Sequence, residues 1–125
     1  MGRRARQRER LTAARPPRAE SSDYGDAQGN VLTLRGSLTP RARREHALTL
    51  AGSGRPAATR EDDEQRALEL LFERLALRWV IAGAPIERQR ELLARLRAAS
   101  AAERAWVRAT LREHCAEHFP DVRVP

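Results

Sequence analysis

The stretch that most constrains this chain runs from Thr59 to Gly83, TREDDEQRALELLFERLALRWVIAG, because it carries a start signal, an apolar stripe and a stop signal in one piece. Thr59 is placed to cap a helix, its hydroxyl accepting the backbone N–H near Asp62. Glu61, Asp62, Asp63 and Glu64 then set negative charge at the positive end of the helix dipole, which explains four consecutive acids without invoking a cation site. At the far end Gly83 is suited to the left-handed conformation that closes a helix, and Pro85 blocks continuation. The stretch predicts a helix over about 60–82.

On a helical wheel Leu68, Leu71, Phe72, Leu75, Trp79 and Ala82 fall within a stripe roughly 80° wide, a core-facing surface. Leu70, Leu77 and Ile81 fall on the opposite side and make a second, narrower apolar line. A monomeric surface helix has no need of such a line. It is read as a partner or oligomer surface, unless the segment from 31 to 52 covers it.

The flanking segments obey the same logic. Leu32-Thr33-Leu34-Arg35-Gly36-Ser37 recurs nearly unchanged as Leu48-Thr49-Leu50-Ala51-Gly52-Ser53, a degenerate repeat of a short strand and a turn. Against it, Thr39 as cap, Pro40 at the first helical position and Gly52 as stop predict a helix over 40–51. The helix is preferred, since two strands of four residues make a marginal hairpin on their own. After Pro85 a helix is expected over 86–98, with Ile86, Leu92, Leu93, Leu96 and Ala99 inside, folded back on the first as an αα-hairpin. Ser100 and Glu103 spell a capping box and open a helix over 101–118, ended by Pro120.

Residues 1–30 hold only Leu11 and Tyr24 as sizeable apolar groups, with Pro16-Pro17 in the middle, and are expected to be a disordered arm. The fold expected is therefore all-α. A small helical bundle of three helices, with a fourth over 40–51, occupies residues 31–120 (31–56 a docking segment, 59–119 the core). The basic arm precedes it, and residues 121–125 form a short tail.

All 24 basic residues are arginine, a habit consistent with GC-rich coding, and the net charge is +7. The charge is uneven: residues 1–60 carry 13 Arg against 5 acids, residues 61–125 carry 11 against 12, so the basic character belongs to the first half. No run approaches the roughly 18 apolar residues of a membrane span, and no apolar secretory core opens the chain. Cys115 stands alone, which excludes an intramolecular disulfide and suits a reducing compartment; no membrane association and a cytoplasmic location are expected.

Three sets of residues carry chemistry. Arg3, Arg4, Arg6, Arg8 and Arg10, opposed within the run only by Glu9, suit electrostatic contact with nucleic-acid phosphates; five contacts to B-form DNA give a log K against log salt slope of about −4.5. Arg88 and Arg95, seven apart, with Arg90 and Arg97 beside them, form a ladder that could touch the same backbone, although Glu87 and Glu91 are spaced to pair with it as a solvated face. A helix-turn-helix reading around Gly83 fails, because Trp79 falls where a small residue is wanted. His114 and His118, four apart, could chelate zinc with His46 as a third ligand, but there is no HExxH pattern and a positive charge also suits a helix C-terminus. No metal and no cofactor is assigned.

Without a Gly-rich phosphate loop, a carboxylate pair or a serine nucleophile motif, catalysis is disfavoured. The function expected is non-catalytic binding: the arginine-rich arm contacts RNA or DNA while the helices self-associate or dock on a helical protein partner. One alternative is a pure protein-interaction module with a passive basic tail. The other is a metal-dependent enzyme using His114 and His118.

Overall fold

Two β-hairpins, joined edge to edge, organise what the helical wheel treats as one long helix. The structure is a computed structural model and describes residues 21–52 and 59–125. In chain order the elements are β1 (Ser21–Gly25), β2 (Val31–Arg35), α1 (Pro40–Ala51), α2 (Arg60–Leu75), β3 (Ala76–Ile81), β4 (Ala84–Ile86), α3 (Gln89–Arg97) and α4 (Ala101–His118). The strands form one antiparallel sheet in the order β1-β2-β3-β4. The fold is thus mixed α/β, and the all-α helical bundle is overturned.

The start of the central stretch behaves as its residues dictate. Thr59 Oγ1 accepts the Asp62 amide at 3.0 Å and the Asp62 carboxylate takes the Thr59 amide at 3.4 Å, a complete capping box. The helix ends at Leu75, well short of residue 82. The next residues, Leu77-Arg78-Trp79-Val80-Ile81, are rich in β-branched and aromatic side chains and meet a waiting strand: Leu32 lies opposite Trp79 and Leu34 opposite Ala76. Trp79 sits four residues after Leu75, so the helical wheel accepts it, but Trp79 and Ile81 also satisfy period two. Pairing with β2 decides between them.

The second apolar line therefore does not exist as a line. Leu70 is half-buried on α2, Leu77 is the extra residue where the β2–β3 register slips between Thr33 and Leu34, and Ile81 packs against the core from β3. Gly83 closes no helix. With Ala82 it makes the two-residue β3–β4 connection, both residues at positive φ (52° and 80°), the pattern of a type I′ hairpin. Pro85 lies on the edge strand β4, where a missing N–H is tolerated. Ile86 ends β4 opposite Trp79, so α3 begins at Gln89 and the expected αα-hairpin is replaced by a β-hairpin.

Elsewhere the local signals hold. Thr39 caps α1 by accepting the Ala42 amide at 3.1 Å, and α1 spans Pro40–Ala51. Ser100 and Glu103 form the capping box of α4. The strand weighed against a helix in the segment from 31 also forms, as β2.

Residues 21–30, placed in the arm by composition, instead form β1 and a tight turn. Asp26 Oδ1 accepts the amides of Gln28 and Asn30 at 2.8 and 2.9 Å, and Asp26 Oδ2 accepts Asn30 Nδ2 at 3.0 Å. Asn30 Oδ1 then takes the Ala82 amide at 3.0 Å, clipping the tips of the two hairpins together. Past α4, Val122 and Val124 pack on the core instead of trailing from it.

One row of cross-strand partners, Tyr24, Leu32, Trp79 and Ile86, marks the sheet face that meets the helices. Leu32, Leu34, Phe72, Leu75, Leu92, Leu96, Val107 and Leu111 bury themselves in this layer. The opposite sheet face carries Asp23, Thr33 and Arg78, with Thr33 Oγ1 donating to Asp23 at 2.6 Å, the alternation of a one-sided antiparallel sheet. Among the described residues no helix is long and apolar enough to cross a membrane.

Candidate functional site: an arginine-lined cavity

At the end of the sheet where β2 stops and α2 gives way to β3 lies a cavity of about 470 Å³. Arg35 comes from the last position of β2, Arg41 from the first turn of α1 and Arg74 from the last turn of α2; Ser37, Thr39 and Gln89 supply polar wall. Among the described residues the one acid in the lining is Glu45, whose carboxylate Arg74 meets at 3.1 Å. Among the described residues Arg35 and Arg41 have no ion-pair partner. Guanidinium groups offer planar forks of donors that match phosphate or carboxylate oxygens.

The backbone beneath Arg35 is held by a buried histidine. His114, fully buried on α4, has Nε2 at 2.7 Å from the Arg35 carbonyl oxygen. That oxygen can only accept, so Nε2 carries the proton and Nδ1 accepts the Tyr24 hydroxyl at 2.8 Å. Burial pushes the His114 pKa below the ordinary histidine value, outweighing the Arg35 carbonyl bond that favours the charged ring. The neutral imidazole thus ties the exit of β2 to α4. On the next wall Gln89 Nε2 donates to the Glu73 carbonyl at 2.9 Å, joining the start of α3 to α2.

The histidines weighed as a possible metal set, His114, His118 and His46, have other neighbours. His114 has both nitrogens engaged. His118 Nε2 lies 3.5 Å from Ser22 Oγ and its ring stacks 4.3 Å from His114. His46 sits on α1, with Nδ1 3.1 Å from the Ala67 carbonyl and Nε2 2.7 Å from the Arg123 carbonyl. Both nitrogens face backbone carbonyl oxygens, so the ring lies between α2 and the C-terminal residues. No three His, Cys, Asp or Glu side chains among the described residues gather as a ligand set. Cys115, buried beside His114, is pushed up to about 12 by burial, the condition of an inert packing thiol.

The arginines singled out by spacing divide. Arg3, Arg4, Arg6, Arg8 and Arg10 lie outside the described residues. Arg88 is exposed at the cap position of α3 and Arg90 is exposed on its first turn. Arg95 turns inward: it donates to Glu103 at 2.7 Å and its guanidinium lies 5.4 Å from the Trp79 ring, a cation–π contact. Arg97 pairs with Glu69 on α2 at 2.9 Å. The α3 ladder is therefore partly a set of ties to neighbouring elements. Arg35, Arg41 and Arg74 carried no joint signal in the sequence, where 39 positions separate the first from the last; only their meeting in space marks them. No protein-family model, curated protein or solved structure matches this chain.

Proposed function

We propose that this is a non-catalytic nucleic-acid-binding protein in which Arg35, Arg41 and Arg74 grip backbone phosphate, and the arginines of residues 1–20 add further contacts along the strand. The observation that carries the reading is the cavity itself: three guanidinium groups from three different elements line one polar space with a single carboxylate among them. A phosphate entering it meets Arg35 and Arg41, which have no ion-pair partner among the described residues, and the hydroxyls of Ser37 and Thr39. The excess of basic charge in residues 1–60 supports the same direction, since long-range attraction for a polyanion grows with charge on the approach face. Such binding reads phosphates and carries little sequence preference.

The test is fluorescence anisotropy with labelled single-stranded and duplex oligonucleotides over a range of salt. The Arg35→Ala/Arg41→Ala double variant should bind more weakly to every sequence and flatten the log K against log salt slope by about 2, roughly one unit per lost phosphate contact. Deleting residues 1–20 should flatten it further. Binding that ignores both changes, or that does not weaken with salt, would overturn the proposal.

A further inference from the structure

A second cavity, of about 340 Å³, lies at the opposite end of the sheet, between the Asp26 turn and the start of α4. Its chemistry is the reverse of the first. Among the described residues its charged lining consists of Asp26 and Glu103, and a cation, Arg95, stands behind the wall on Glu103 and the Trp79 ring. Trp79 and Trp106, the only two tryptophans in the sequence, both line it. Trp106 is half-buried, whereas Trp79 is 2 % exposed and its Nε1 has no hydrogen-bond partner among the described residues.

The charges can be weighed one by one. Glu103 is partly neutralised by Arg95, and that hydrogen bond together with the Ser100 amide holds its carboxyl below the usual carboxylate range. Asp26 has only neutral partners. Desolvation pushes its carboxyl up, but the amides and side chain of Asn30 and the amides of Gln28 and Gly29 outweigh it, so the group stays ionised. The first turn of α4, which would otherwise attract an anion, is occupied by its own capping box: Ser100 Oγ takes the Glu103 amide and Glu103 takes the Ser100 amide. The space is therefore aromatic and lined by carboxylate.

We propose that this cavity binds a small organic cation of the alkylammonium class, seated against Trp106 and beside the Asp26 carboxylate. Quaternary alkylammonium groups have no N–H and are weakly hydrated, so aromatic faces and one carboxylate suffice to hold them. The wall already contains this chemistry in Arg95, whose guanidinium lies over the Trp79 ring. A divalent metal ion fits less well, because it needs several free oxygen ligands and three donors already occupy the Asp26 carboxylate. This site is independent of the phosphate reading of the arginine cavity.

The experiment is a ¹⁵N–¹H titration of the full chain, monitoring the two indole cross-peaks with tetramethylammonium chloride and, in parallel, with sodium chloride at equal ionic strength. The Trp106 indole should shift and saturate with tetramethylammonium only. Ala102→Arg, an exposed cavity residue in the first turn of α4, places a tethered cation at the site and should abolish the response while circular dichroism stays unchanged. Trp106→Ala should weaken binding about fivefold by calorimetry. Shifts that track ionic strength equally for both salts would overturn the proposal, as would an undiminished response in Ala102→Arg or a saturable response to sodium acetate instead.

Discussion

Ala82 is the one non-glycine residue among those described that is held at positive φ, 52°, in the first position of the β3–β4 turn. An L-residue in the left-handed region costs roughly 1–2 kcal/mol through contact between Cβ and its own backbone. The side chain is exposed, so replacing it removes no packing, and its amide bond to Asn30 Oδ1 is available to any non-proline residue. Ala82→Gly relieves the strain but gives the unfolded chain extra freedom worth about 0.4–1 kcal/mol, leaving a net gain of about 0.5–1 kcal/mol. For a folded region of this size that raises the melting temperature by about 2–6 °C. Ala82→Asn should also stabilise, since asparagine tolerates this conformation and Asn-Gly is the preferred pair for such a turn. Ala82→Val should destabilise, because β-branching worsens the same clash. Thermal melts and urea titrations at one fixed pH read all three. If Ala82→Gly is neutral or harmful while Ala82→Val is silent, residue 82 is not held in the left-handed conformation and the account of this hairpin is wrong.

The buried groups near the arginine cavity give further outcomes. His114 has a folded pKa below its unfolded one, so its contribution to stability is complete above the ordinary histidine range and is lost as pH falls through that range toward the lower folded value. The urea midpoint should drop over that window in the wild type and less steeply in His114→Gln; an unchanged profile would show that the imidazole is not buried neutral. His114→Leu should cost about 1–3 kcal/mol for each of the two groups it strands, the Tyr24 hydroxyl and the Arg35 carbonyl, measured by chemical denaturation. Cys115, with a thiol pushed up to about 12, should resist iodoacetamide at neutral pH until denaturant is added, and rapid alkylation of the native protein would contradict its burial.

Features that are settled within a few residues follow from the chain's local order. The caps of Thr39, Thr59 and Ser100 depend on one side chain reaching an amide three positions on, and all three form with α1, α2 and α4 starting where those caps require. The core content of Leu68, Leu71, Phe72 and Leu75 also comes from spacing, since a helix of this pattern has one apolar face to bury. Tertiary structure decided the rest. Residues 76–81 fit a helix and a strand about equally well, and only the hydrogen bonds offered by β2 made them a strand; Ser21–Gly25 has too few apolar groups to order itself and does so as the edge partner of β2. Once β3 turns away at Leu75, the supposed stripe of Leu70, Leu77 and Ile81 dissolves, because its alignment depended on a helix continuing through it. The same cause hid both cavities. Arg35, Arg41 and Arg74 meet because an antiparallel sheet brings the end of β2 to the start of β3 with two helices between, and Asp26, Trp79 and Trp106 meet at its other end. No local spacing encodes those meetings, since they are contacts of the folded chain across dozens of residues.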